Sequence, residues 1–187
     1  MSLIFNEHNN MQRIFLVGYM GAGKTTIGKA LAKQMNLSFI DLDHFIESRF
    51  HKTVRQIFEE KGEEVFRIIE KNALREVAEF EDTIISTGGG TPCFHANMEL
   101  MNTLGTTVYL KASADELTKR IALNKNTRPI LKDLSGDSLK QFIANALNDR
   151  GIYYKQANII FDTEVMLSEK DVVNLCQNLK EKLLSNK

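Results

Sequence analysis

The sequence predicts an α/β protein with a parallel sheet covered by helices on both faces, a three-layer α/β/α sandwich. Three observations predict it. Short apolar or β-branched runs alternate with amphipathic stretches along the chain, as strands alternate with crossover helices in parallel sheets. The spacing Gly18-x-x-x-x-Gly23-Lys24-Thr25 follows the first apolar run and precedes an amphipathic stretch, the context of a phosphate-binding loop. Chemically capable residues recur at strand ends, where such sheets bind ligands.

Residues 13–17 read as the first strand, and residues 24–35 as a helix with Ile27, Ala30, Leu31 and Met35 at helical spacing. Ser38-Phe39-Ile40-Asp41-Leu42-Asp43 reads as a second strand ending in acids, followed by a helix over 43–50. Thr53-Val54-Arg55-Gln56 is a capping-box pattern that opens a short helix. Gly62 interrupts, and Phe66, Ile69, Ala73, Val77 and Phe80 then predict one amphipathic helix over 63–80. Residues 83–86 read as a buried third strand, followed by Gly88-Gly89-Gly90, and 97–104 as a short helix. A β-branched fourth strand covers 106–110. Ser113 is a suitable cap for a helix over 114–123. The polar segment 124–137 reads as a mobile loop, 138–154 as a helix, 158–161 as the fifth strand and 168–184 as the closing helix.

Length and the lack of any linker or repeat favour one domain over 187 residues. Residues 1–10 are polar and read as a short tail, not a signal peptide. The 24 basic and 24 acidic residues cancel, which argues against a broad nucleic-acid surface but leaves room for a few focused arginines. Cys93 and Cys176 cannot build a disulfide framework, so a reducing cytoplasm is the expected setting. No apolar run approaches the roughly 18 residues of a membrane span.

The loop's glycines let backbone N–H groups converge on phosphate oxygens, and the following helix aims its positive end at them. Gly21, Ala22, Gly23, Lys24, Thr25 and Thr26 are the expected nucleotide contacts. Lys24 supplies a mobile charge, and Thr25 a hydroxyl for Mg²⁺. Asp41 and Asp43, two apart in a strand, are expected on one side: one to support Mg²⁺, directly or through water, the other to accept a hydroxyl proton. The third strand ends Ile84-Ile85-Ser86-Thr87 without the acid often found there, which leaves Asp41 as the metal-side carboxylate. Gly88, Gly89 and Gly90 allow close backbone approach to a ligand. Arg67, with Glu70 three residues on, Arg128 before Pro129, and Arg150 gain meaning only if the fold gathers them. Asn124-Lys125-Asn126-Thr127 lacks the aspartate of a guanine-specifying motif. Cys93, His95 and Tyr153-Tyr154 read as structural.

Taken in order, these motifs resemble those of the shikimate kinases: Val17-Gly18-x-x-Gly21-x-Gly23-Lys24-Thr25-Thr26-Ile27-Gly28, Phe39-Ile40-Asp41-Leu42-Asp43, Phe66-Arg67-x-x-Glu70, Gly88-Gly89-Gly90, Arg128-Pro129-Ile130-Leu131 and Arg150-x-x-x-Tyr154. The resemblance implies a P-loop, nucleoside-monophosphate-kinase-like fold with a five-stranded parallel sheet, and phosphoryl transfer from ATP to the 3-hydroxyl of shikimate on the route to chorismate and the aromatic amino acids. It implies that Asp43 binds the reacting hydroxyl, that Arg67 and Arg150 clamp the carboxylate, and that Gly89 with its neighbours contacts the ring. It further implies that Arg128 reaches the phosphates from a lid over 124–137, that Thr25 binds Mg²⁺ with Asp41 in its shell, and that the enzyme is a monomer. Lys24, Asp43 and Arg128 are thus the expected catalytic residues. The chain lacks the proline often found after the later arginine, and Arg120 is the nearest candidate for the arginine on the adenine side. A gluconate-kinase-like sugar-acid kinase and a nucleotide-binding regulatory module without catalysis are the alternatives.

Overall fold

Five short strands, β1 (Arg13–Val17), β2 (Ser38–Asp41), β3 (Thr83–Ser86), β4 (Thr106–Lys111) and β5 (Ile159–Asp162), form one sheet in the order β2-β3-β1-β4-β5, parallel throughout. The computed structural model describes residues 12–123, 134–166 and 168–185. β1 is apolar on both faces because both are covered: Phe15, Leu16 and Val17 are fully buried. It lies between β3 and β4, so the chain leaving its carboxyl end enters the crevice where the strand order switches direction.

The connecting helices are α1 (Lys24–Met35), α2 (Leu42–Phe50), α3 (Val54–Val77), α4 (Asn97–Leu104), α5 (Ala114–Leu123), α6 (Gly136–Tyr154) and α7 (Glu169–Ser185). α1 packs on α7, and α5 on α6. Ile27 and Leu31 of α1 and Ile84 and Ile85 of β3 belong to one continuous core. The Cys176 thiol is buried on α7 and donates to the Ile27 carbonyl, a structural role.

Several boundaries differ from the sequence expectation for identifiable reasons. β2 stops at Asp41, whose side chain accepts the Asp43 N–H and starts α2 at Leu42. Asp43 is therefore in a first helical turn, not on the strand, and its nearness to Asp41 arises from helix capping rather than strand alternation. Gly62 breaks the helical path of α3 with φ 77° and ψ 168°, as its position suggested, and the Thr53 capping box is formed. The second part of α3 ends at Val77, leaving Phe80 beyond it and exposed. A 3-10 turn, Thr91–Cys93, follows the three glycines, where the sequence pattern carries no signal for one. α6 starts at Gly136, and it runs on through Arg150-Gly151-Ile152 without the missing proline. The loop expected over 124–137 falls mainly on 124–133, outside the described residues.

Gly105 joins α4 to β4 where the chain presses against β1. A Cβ there would stand 2.4 Å from the Arg13 carbonyl oxygen, an unyielding backbone atom. Gly105→Ala is expected to destabilise the protein by about 1–3 kcal/mol, the usual cost of overpacking. Chemical denaturation would check this; an unshifted midpoint would show that the contact with Arg13 yields at no cost.

Candidate active site

A cleft of about 700 Å³ opens at the carboxyl ends of β1, β2 and β3. It is lined by Gly21 and Gly23 to Thr26 from the loop after β1, by Asp41 and Asp43, by Gly88, Gly89 and Gly90, and by Arg67, Arg120 and Arg150. The sequence-selected residues within the described chain thus share one cavity, except Ala22, which is buried beneath the loop. Arg128 lies outside the described residues.

The phosphate-loop half is set by its backbone. Gly18, Gly21 and Gly23 adopt φ of 139°, 82° and 96°, the region that side-chain-bearing residues avoid. Lys24 Nζ donates to the Gly18 and Tyr19 carbonyls at 2.8 and 3.1 Å, so the ammonium lies folded over the loop. The Thr25 hydroxyl donates to Asp41 Oδ2 at 2.8 Å. In register, Asp41 pairs with Ser86, the last residue of β3. The carboxylate that β3 lacks is therefore supplied one strand over, at the same height.

Asp41 spends its other oxygen on the Asp43 N–H at 3.2 Å. Capping by Asp41 turns the Asp43 side chain into the same cleft. Burial pushes the Asp43 carboxyl up from 3.8 to about 6; Asp41, Glu70 and Glu47 push the same way, and Lys24 pulls it down. Asp43 therefore feels both the loop lysine and the carboxylate of the opposite half.

That opposite half is built on Arg67. Its Nη1 donates to Glu70 Oε2 at 2.9 Å, the i,i+3 partnership legible in the sequence. Nε and Nη2 reach Glu63 at 3.3 and 3.0 Å. The two partners differ in weight: Glu63 is 59% exposed and Glu70 only 2%. An exposed pair contributes about 0–1 kcal/mol, whereas unpairing a buried charge costs about 3–5 kcal/mol. Glu70 is thus the anchor and Glu63 an easily displaced partner. Phe94 covers the guanidinium at 4.2 Å, with Phe58 and Phe66 at 5.5 Å. Gly90 makes room, since a Cβ there would stand 2.8 Å from Arg67 Nη2.

Arg150 reaches the cleft from α6, with its guanidinium 5.5 Å from the centre of the Tyr19 ring. Four residues on, the Tyr154 hydroxyl donates to the Gly89 carbonyl at 2.6 Å. Tyr154 is completely buried, and burial pushes its hydroxyl well above the usual tyrosine range. It remains a donor that pins the triple-glycine turn to α6, more than the packing residue expected. The i,i+4 spacing of Arg150 and Tyr154 was the available signal. Arg120 bonds Gly21 and Thr163 carbonyls at 3.4 and 2.5 Å, tying the loop after β1 to the chain after β5. Phe58 and Phe94 carried no signal, because nothing local says that they converge on Arg67. Burial also raises the Cys93 thiol, consistent with a structural role.

A family model described as Shikimate kinase matches residues 20–180. A shikimate kinase from Parabacteroides distasonis is 62% identical over 169 residues, covering 90% of this chain and 98% of the relative. Among solved structures, a shikimate kinase from Bacteroides thetaiotaomicron superposes with a TM-score of 0.91 at 51% identity, covering 93% of this chain and 99% of that one. A shikimate kinase from Acinetobacter baumannii, solved in complex with shikimate, gives 0.82 at 32% identity, with 96% of each chain covered.

The raised Asp43 carboxyl has a sign that stability measurements can read. Between pH 4 and 6 the folded protein holds a proton that the unfolded chain has lost, so stability from this group falls as pH rises through that window. Asp43→Asn removes the cost. The variant is expected to be more stable than the wild type by up to about 3 kcal/mol at pH 8, with the margin vanishing near pH 4. Denaturant midpoints across that range check it, and a pH-independent difference would refute the buried charge.

Proposed function

The chain belongs to the shikimate kinase family, and from that premise we propose that it transfers the γ-phosphoryl group of ATP to the 3-hydroxyl of shikimate, giving shikimate 3-phosphate and ADP. One observation carries the residue assignments: a phosphate loop and a buried arginine–carboxylate cluster share one cleft, with Asp43 facing both.

Phosphoryl transfer asks for positioning and charge neutralisation. The loop amides of 21–26 cradle the phosphates, and Lys24 exchanges its contacts with the Gly18 and Tyr19 carbonyls for phosphate oxygens. Mg²⁺ suits the hard oxygens that Thr25 and Asp41 bring within 2.8 Å of each other. Those two would hold it, Asp41 through water, and when bound it offsets phosphate charge. Asp43 holds the attacking hydroxyl and, ionised above about pH 6, can accept its proton. Arg67 releases Glu63 to receive the acceptor carboxylate together with Arg150, and Gly88, Gly89 and Gly90 lie against the ring. Phe58 and Phe66, which line the cleft, suit a cyclic acceptor with an apolar face. Arg128, outside the described residues, is assigned to the phosphates from its Arg-Pro motif, and 124–137 to the lid that excludes water.

We read the chain as one monomeric, cytoplasmic domain. No helix among the described residues is long and apolar enough to cross a membrane.

The defining test is ADP release with shikimate and with gluconate as acceptors, with the product identified by mass. Turnover is expected with shikimate only, lost on chelation and restored by Mg²⁺; turnover with gluconate alone would overturn the reading. Arg67→Lys is the sharper probe of the clamp, because lysine keeps a charge beside Glu70 but loses the planar fork. It is expected to raise the shikimate KM about tenfold or more while the ATP KM stays put, since charge-assisted hydrogen bonds are worth about 1.5–3 kcal/mol. An unchanged shikimate KM would remove Arg67 from the clamp.

A further inference from the structure

We propose that Thr91 is a positioning residue for the acceptor half, its hydroxyl holding Glu70, and through Glu70 the Arg67 guanidinium, in the orientation that receives a carboxylate. The inference rests on the acceptor reading above and deepens it.

Thr91 is the first residue of the 3-10 turn and is completely buried. Its hydroxyl donates to Glu70 Oε1 at 2.6 Å, the short distance of a hydroxyl donating to a carboxylate. Arg67 takes the other oxygen, Oε2. With a different donor on each oxygen, the Glu70 carboxylate cannot turn without breaking one bond. Thr91 is itself fixed: Asn97 Nδ2 donates to its carbonyl at 2.9 Å, and its N–H donates to the Gly88 carbonyl at 3.2 Å.

The electrostatics explain why such a brace is needed. Asp43 Oδ1, Glu70 Oε1 and Thr91 Oγ1 all stand 3.0 Å from the point a Cβ of Gly88 would occupy. Two carboxylates face each other across a glycine, and the Thr91 O–H dipole points at one of them. Without that donor, Glu70 would relieve the repulsion by rotating away from Asp43 and would draw Arg67 with it. Glu63, largely exposed, is too weak a partner to hold the guanidinium in place. Phe94, the residue just after the turn, lies over the Arg67 guanidinium, so one short segment both holds the arginine's carboxylate partner and covers the arginine itself.

Steady-state kinetics on Thr91→Val and Thr91→Ser, with ATP and shikimate varied separately, test this. Thr91→Val keeps the shape and removes the donor. It is expected to raise the shikimate KM about tenfold or more, the scale of a hydrogen bond to a charged group, with the ATP KM within about twofold of wild type. Thr91→Ser keeps the donor and is expected to behave as wild type. A Thr91→Val enzyme with a wild-type shikimate KM, equal rises in both KM values, or a serine variant as impaired as the valine one would each overturn the proposal. Should the valine variant not fold, Thr91→Ala against Thr91→Ser makes the same comparison. A wild type inactive on shikimate would fail the functional reading instead. In that case a crystal structure of the donorless variant decides: Arg67 displaced supports the brace, and Arg67 unmoved on Glu70 overturns it.

Discussion

The Asp41 carboxylate is the joint on which both halves of the cleft depend. One oxygen accepts the Thr25 hydroxyl at the start of α1, and the other accepts the Asp43 N–H at the start of α2. A single side chain at the end of β2 therefore joins the start of the helix that carries Thr25 to the start of the helix that carries Asp43. Because β2 is held in register by β3 and β3 by β1, the height of Asp41 above the sheet follows from the ladder.

The acceptor half concentrates charge in a way that stability alone would not favour. Asp43, Asp41 and Glu70 lie close enough to raise the Asp43 carboxyl, and burial adds the largest share. The structure offsets this repulsion with Arg67 on Glu70, the Thr91 hydroxyl on the same carboxylate and Lys24 on the loop. Charge strained in this way is typical of sites tuned for proton and phosphoryl chemistry. Gly88 serves the same end by bringing backbone between the Asp43 and Glu70 carboxylates, and Gly90 by leaving room for the Arg67 guanidinium.

The fold class, five parallel strands and a phosphate loop were legible because each rests on local periodicity or on one contiguous motif. The pairing of Arg67 with Glu70 was legible too, since helical spacing implies it. Spacing alone brings Asp41 and Asp43 together as neighbours on a strand through Leu42, whereas the capping Asp41 begins a helix at Leu42 and joins them through the helix start. Periodicity extends α3 to Phe80, but the helix ends at Val77, because an apolar residue at the right spacing looks the same whether or not the core reaches it.

Sequence alone determined the chemistry available: a phosphate loop with its lysine and threonine, two acids, three glycines and a set of arginines, all readable because residue type dictates what a side chain can bind. Only the tertiary structure decided which of them meet. Thr91 and Glu70 are 21 residues apart, and Tyr154 and Gly89 are 65; Phe94 reaches Arg67 from a turn with no signature of its own. Such contacts depend on how parallel strands and their crossovers stack in space, which no local pattern encodes, and they turn a list of capable residues into a cleft with two halves.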